Sequence, residues 1–231
     1  GGDTGITPNF DKLCSEGLVF SNLYATGTTS DMGMPSILSA FPGQPVTSII
    51  TQPAKYRHLP CINKEFKNHG YHTSYYFGGQ LSYGNIKSYV YYNGFDNIFE
   101  EEDFDDPAFI HGKLGIHDEF MMRTHLSDMN KEQTPFFSIL FTLSTHPPYD
   151  TPGEKPLTWA GEYNPLVNSA LYTDKAIGEY MANAKKQAWF DNTLFIFIAD
   201  HSCNSPKNRQ YDSPDHFRVP LLFYGNVLKN F

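Results

Sequence analysis

Asp200 and His201 stand at the carboxyl end of the apolar run Leu194-Phe195-Ile196-Phe197-Ile198, with the polar Ser202-Cys203-Asn204-Ser205 beyond them. One carboxylate oxygen beside one imidazole nitrogen suits a divalent cation such as zinc or manganese. The run that delivers them reads as a short strand buried on both faces, ending where open α/β sheets place their ligands. From the dipeptide alone, an Asp that caps the next turn beside an incidental His is an equal alternative. Two further polar clusters follow predicted strands: Thr28-Thr29-Ser30-Asp31 after Tyr24, and His146 after Leu143. His216 precedes another strand. Each cluster is weak by itself, because such a Thr-Ser-Asp run commonly caps a helix and His-Pro-Pro commonly makes a turn. Convergence on one sheet edge is less easily accidental. A hydroxyl at a helix N-terminus gains amide donors for a bound anion, and a divalent metal lowers that hydroxyl's pKa and neutralises phosphate or sulfate charge.

The elements that must position these groups alternate as in a doubly wound sheet. Thr7 to Glu16 reads as a helix, with Pro8 in its first turn and Gly17 ending it. Leu18–Tyr24 is a strand candidate, and after a Gly/Thr/Ser-rich loop a helix starts at Pro35. Leu59 to His69 is helical, Tyr71–Phe77 is the next strand, and Gly115 to Met129 is another helix. Pro135–Leu143 reads as a strand running into Ser144-Thr145-His146-Pro147-Pro148-Tyr149. Asn168 to Gln187 carries apolar residues at helical spacing, which are core positions. The Asp-His strand and a last strand, Val219–Gly225, complete the chain.

Composition removes several alternatives. A length of 231 residues suits one α/β domain spanning 1–231. The net charge is −8 and there is no long basic run, which argues against a nucleic-acid partner. Cys14, Cys61 and Cys203 show no CxxC spacing, so neither a disulfide framework nor a cysteine zinc site organises the fold. No apolar segment approaches the ~20 residues of a membrane span. The acidic stretch Glu100-Glu101-Glu102-Asp103 reads as a solvated loop. His58, His69, His72, His111, His117 and His125 read as structural or exposed. The chain starts abruptly ahead of a helix signal, and an upstream segment is expected.

Taken in order, the motifs resemble a known family. Thr7-Pro8-Asn9-Phe10-Asp11-Lys12-Leu13 and Gly17-Leu18-Val19-Phe20-Ser21-Asn22-Leu23-Tyr24 are similar to the opening of sulfatase-type members of the alkaline phosphatase superfamily. Thr28-Thr29-Ser30-Asp31, Ser144–Tyr149, Tyr172-Thr173-Asp174 and Ala199-Asp200-His201 resemble the lipoteichoic acid synthase-like branch, which contains phosphoglycerol transferases and is related to phosphoethanolamine transferases. The resemblance implies a three-layer α/β sandwich, with a central mostly parallel sheet and helices on both faces. It implies one divalent metal (manganese, zinc or magnesium) held by Thr29, Asp200 and His201. Thr29 would be the nucleophile forming a phospho-threonine intermediate, and His146 would bind the substrate phosphate or assist the leaving group. His216 would approach the metal or the phosphate. The implied partner is a phospholipid or glycan-linked phosphodiester, handled at the outer face of a bacterial membrane by a protein anchored upstream.

Three departures qualify that picture. The Cys-x-Pro-x-Arg signature that becomes formylglycine in true sulfatases is absent, and Thr29 occupies the equivalent loop. The family's remaining metal carboxylate lies on a strand upstream of this chain, and Asp3, in a glycine context, is a poor substitute. Where lipoteichoic acid synthases carry Trp and Arg to hold glycerol phosphate, the matching stretch is Ser82-Tyr83-Gly84-Asn85-Ile86. Losing Arg removes a bidentate phosphate clamp. Gln80 and Asn85 are the polar side chains left there, either for substrate or to satisfy the loop. A sulfate or phosphate ester hydrolase and a non-catalytic domain that keeps the fold are the alternatives to a transferase.

Overall fold

The structure is a computed structural model that describes residues 5–205 and 210–230. Its helices are α1 (Pro8–Glu16), α2 (Ser30–Ser39), α3 (Pro53–Tyr56), α4 (Ile62–Asn68), α5 (Ile86–Asn93), α6 (Asp118–Met129) and α7 (Asn164–Ala184). The strands are β1 (Leu18–Tyr24), β2 (His72–Phe77), β3 (Asn97–Phe99), β4 (His111–Gly112), β5 (Gly115–Ile116), β6 (Phe136–Phe141), β7 (Phe195–Ile198) and β8 (Arg218–Tyr224). Parallel pairing unites β3-β2-β6, while β1-β8-β7 pair antiparallel and β4-β5 form a small hairpin.

Strand β2 shows why the parallel sheet is covered on both faces. Alternate side chains of a strand point to opposite sides. Tyr75 and Phe77 join α2, α3 and α5 in one core, together with Phe137, Ile139 and Phe141 of β6. Tyr76 points the other way and packs with Phe120 and Met121 of α6 and with Leu140. Helices therefore flank this sheet on both sides. The antiparallel sheet differs: α1 and α7 cover one face through Leu13, Met181, Leu222 and Tyr224. Its other face leaves Phe20, Ile196 and Ile198 exposed. The expectation that Leu194–Ile198 is buried on both faces is thus corrected. β7 lies at the edge of its described sheet, and its burial alternates as one-sided antiparallel strands do.

Helix α2 starts earlier than Pro35, five residues nearer Thr29. A proline inside a helix leaves the carbonyl four residues back without its amide. Here that carbonyl, on Asp31, accepts the Ser48 hydroxyl at 2.7 Å instead, so the helix continues through the proline. Gly33 then brings α2 against the end of β7. A Cβ at Gly33 would lie 2.2 Å from the Asp200 carbonyl oxygen, and no side chain fits that approach. Sequence proximity to Thr29 thus becomes spatial proximity to Asp200.

His125 anchors α6 on the parallel sheet. Its ring is fully enclosed, with Nε2 2.9 Å from Ser138 Oγ, Nδ1 2.9 Å from Tyr180 Oη, and the Tyr76 ring edge-on. Burial pushes its pKa down to about 3.

Two measurements check this packing. Gly33→Ala is expected to lower the urea unfolding free energy by about 1–3 kcal/mol, as overpacking does; unchanged stability would mean the Asp200 turn is not seated on α2. For His125, the unfolded chain takes up a proton near 6.5 and the folded chain only near 3. Between those values the unfolded state binds more protons, so stability falls as pH falls. Relative to His125→Gln, the wild-type protein should lose up to ~1.4 kcal/mol per pH unit below 6.5, and parallel pH curves would contradict this.

Candidate active site

Thr29 is the residue immediately before α2. Its backbone is extended (φ −141°, ψ 155°), and its carbonyl accepts the amides of Met32 and Gly33, each at 3.0 Å. The side-chain hydroxyl makes no capping bond to the helix. Thr29 thus holds the capping position without spending its hydroxyl on it, and the residue is exposed. The next residue, Ser30, places Oγ 3.3 Å from His201 Nε2. That contact ties the start of α2 to the end of β7 across 171 positions of sequence.

The His201 ring is oriented by its own loop. Nδ1 lies 2.7 Å from the Ser202 carbonyl. A carbonyl only accepts, so Nδ1 carries the proton and Nε2 of the neutral ring keeps its lone pair. Asp200 Oδ1 accepts the His201 amide at 3.0 Å, whereas Oδ2 is buried and has no hydrogen-bond partner. Oδ2 and His201 Nε2 are 3.6 Å apart. Nitrogen and oxygen ligands about 2.1 Å from one tetrahedral ion sit about 3.4 Å from each other. The orphaned oxygen and the Nε2 lone pair, which here accepts the Ser30 hydroxyl, therefore fit a divalent cation that would take that hydroxyl's place. Among the described residues no group of three or more His, Cys, Asp or Glu is placed to hold a metal. Asp3 lies outside the described residues.

His216 is buried beside this loop, and the Ser202 hydroxyl donates to its carbonyl. Its ring packs 4.4 Å from that of Tyr211. The backbone of His216 therefore meets the residue that also receives the His201 proton.

His146 stands on the loop that leaves β6. Its amide donates to the Leu143 carbonyl at 2.9 Å, and the Tyr149 amide donates to its own carbonyl at 3.0 Å. Nδ1 lies 2.7 Å from the Pro147 carbonyl. The same reasoning gives an Nδ1-protonated ring with Nε2 presented outward. Tyr83 packs edge-on against it at 5.7 Å. Tyr149, farther along the loop, lies within electrostatic reach of Cys203, so the His146 loop and the Asp200–Cys203 loop are neighbours.

Gln80 and Asn85 flank Tyr83 in sequence. The Gln80 amide donates to Glu101 at 3.2 Å, and Asn85 adopts left-handed backbone (φ 62°) ahead of α5. Gln80 is thus tied to Glu101, and the Asn85 backbone turns the chain into α5. Gln80 nevertheless lines a cavity of about 700 Å³ with Ser82, Lys87, Glu100, Glu101 and His111. Lys87, paired with Glu100, is a cation that the sequence motifs did not mark, although it directly follows the Ser82–Ile86 stretch. Its hydrogen bond to the Glu100 carboxylate raises its pKa. Gly33 was missed as well, because close backbone approach leaves no signal in a lone glycine.

The Sulfatase family profile matches residues 1–229. The lipoteichoic acid synthases of Staphylococcus saprophyticus and Staphylococcus aureus are 26% identical to this chain over 209 residues. That match covers 85% of the chain and 32% of either relative, so the chain spans about a third of their length. A solved alkaline phosphatase superfamily protein from Vibrio parahaemolyticus superposes with a TM-score of 0.84 at 33% identity, over 96% of this chain and 54% of that one. The lipoteichoic acid synthase LtaP of Listeria monocytogenes gives 0.82 at 20% identity, over 95% and 59%. The Streptococcus pyogenes phosphoglycerol transferase GacH, solved with sn-glycerol-1-phosphate, gives 0.68 at 17% identity, over 96% and 62%. The profile match over residues 1–229 and these superpositions agree: the chain belongs to the sulfatase family and has an alkaline phosphatase-like fold.

Proposed function

We propose that this chain is the catalytic domain of a phosphotransferase that moves a phospho-alcohol headgroup from a phosphodiester donor to an acceptor alcohol. What supports this reading is the unspent Thr29 hydroxyl at the start of α2, whose neighbour Ser30 touches His201, together with the buried, unpartnered Asp200 Oδ2 lying 3.6 Å from His201 Nε2. Asp200 and His201, with Thr29, would hold a manganese, zinc or magnesium ion, completed by a carboxylate from outside the described residues. Such an ion supplies charge neutralisation at the phosphoryl oxygens and acidifies the threonine hydroxyl.

Thr29 Oγ attacks phosphorus in line, and the bond from phosphorus to the donor's leaving oxygen breaks. The headgroup phosphate is then esterified to Thr29, and the hydroxyl proton passes to solvent at this exposed residue. His146 Nε2 faces the departing oxygen and, when protonated, delivers a proton to it. The acceptor alcohol then displaces Thr29 by the reverse path, regenerating the hydroxyl. Amides of the first turn of α2 orient the anionic diester. Formylglycine chemistry has no residue to use here, since no cysteine carries the required signature. The named activities of the Streptococcus phosphoglycerol transferase and of a Neisseria meningitidis phosphoethanolamine transferase of similar fold support a phosphoglycerol- or phosphoethanolamine-type headgroup. The periplasmic domain of Escherichia coli EptC, also similar in fold, supports a working place at the outer face of a bacterial membrane. No helix among the described residues is long and apolar enough to cross one, so the anchor is proposed to lie elsewhere in the full-length protein.

The test uses that full-length protein with manganese and vesicles of phosphatidylglycerol or phosphatidylethanolamine, scoring diacylglycerol release and the mass of the Thr29 peptide. Wild type should release diacylglycerol and carry the headgroup phosphate on Thr29. Thr29→Ala should lower turnover by about 1,000-fold or more. Retained turnover in that variant defeats the assignment, and free headgroup phosphate without added acceptor would mark a hydrolase instead.

A further inference from the structure

The loop bearing His146 springs from a carboxylate that no motif singled out. Asp118, at the start of α6, is 1% exposed. Its Oδ1 accepts the amides of Leu143 and Ser144, at 2.7 and 3.2 Å, where the chain leaves β6. Its Oδ2 accepts the Thr173 hydroxyl from α7 at 2.8 Å. In return the Asp118 amide donates to Ser144 Oγ at 3.0 Å. Ser144 and Thr173 are buried with it. One side chain thus joins α6, α7 and the carboxyl end of β6 at a single point.

That point is mechanically close to the imidazole. The Leu143 peptide that Asp118 grips through its amide also offers the carbonyl that accepts the His146 amide. His146 is therefore one hydrogen-bonded turn from the clamp. At its far end, the same loop is fixed by Asp150, whose carboxylate accepts the Lys113 amide at 2.8 Å. Amide donors to a buried carboxylate form short, charge-assisted bonds with strict direction. They set the peptide planes of residues 143 and 144, and with them the direction in which the His146 turn leaves the sheet. Burial raises the Asp118 pKa, and the donors from Leu143, Thr173 and Ser144 oppose that rise. A core that needed only filling would not require an acid here.

We infer that Asp118, backed by Thr173, is the positioning residue for His146, acting on turnover only through the placement of that ring. The inference rests on the proposed role of His146 at the substrate phosphate. It extends that role to a buried residue that touches no substrate. Displacing a reacting group by about 1 Å costs on the order of 100-fold in rate.

A double-mutant cycle in the full-length protein, with the same vesicle assay, tests it. Asp118→Ala should lower kcat about 100-fold, and Thr173→Val about tenfold, with KM changed less than about twofold. In a His146→Ala background neither change should lower kcat further, because the ring they position is gone. A residue that only stabilises the fold would give losses that add to that of His146→Ala, and additivity overturns the inference. Full turnover in Asp118→Ala also overturns it. If Asp118→Ala does not fold, Thr173→Val and Asp118→Asn take its place in the cycle: a loss of kcat that vanishes in the His146→Ala background supports the inference, and an additive loss overturns it. Full turnover in His146→Ala alone removes the His146 role and this inference with it, while a silent Thr29→Ala strikes the phosphotransfer reading itself.

Discussion

Asp200 Oδ2 and His201 Nε2 face each other at 3.6 Å, and neither brings a proton to the meeting. A buried carboxylate oxygen left without a partner costs about 1–3 kcal/mol, so the arrangement stands only because the surrounding fold enforces it. Several independent features do so. The Ser202 carbonyl fixes which ring nitrogen of His201 is free, the His201 amide takes the other Asp200 oxygen, and Ser30 approaches the ring from α2. The first two direct lone pairs toward the same small space, and the Ser30 hydroxyl meets the one on His201. This is the pattern expected of ligands prepared for a cation, in which the atoms around the site choose tautomer and direction beforehand.

The scaffold's less regular features serve that meeting. Ser48 supplies the hydrogen bond that Pro35 removes from α2, and Gly33 lets the helix press on the backbone of Asp200. Without the first, α2 would break between Thr29 and its packing face. Without the second, the helix would stand off from β7. Asp118 does the corresponding work for the β6 loop by spending one buried carboxylate on backbone donors. Three strand ends are thereby brought together by contacts that lie outside the reactive groups themselves.

Much of this was legible in the sequence. The strands Leu18–Tyr24 and Tyr71–Phe77 and the helix after Thr7 follow hydrophobic period and capping chemistry, which are local signals, and the structure places them within a residue of expectation. The Asp-His pair and the Thr-Ser-Asp run were visible because ionisable residues at the end of an apolar run are conspicuous. Other features were not readable, and for physical reasons. Pro35 marks a helix start in most sequences, and only a hydroxyl thirteen residues farther on explains why it sits inside one here. An apolar run cannot report whether one or both of its faces find a partner, so Phe195–Ile198 looked fully buried while Ile196 is 51% exposed. Asp118 stayed hidden because its partners come from two segments distant in sequence, Leu143-Ser144 and Thr173. Lys87 gave no signal because a lone lysine at the start of a helix is ordinary.

The central claim is that Asp200 and His201 hold a divalent cation through the two atoms that now face each other. Electron spin-echo modulation of Mn²⁺ bound to the full-length protein reads this directly, because a coordinated imidazole nitrogen couples to the electron spin. One such nitrogen is predicted, disappearing in His201→Ala. Manganese that binds with no nitrogen coupling, or with coupling that survives that substitution, would contradict the site.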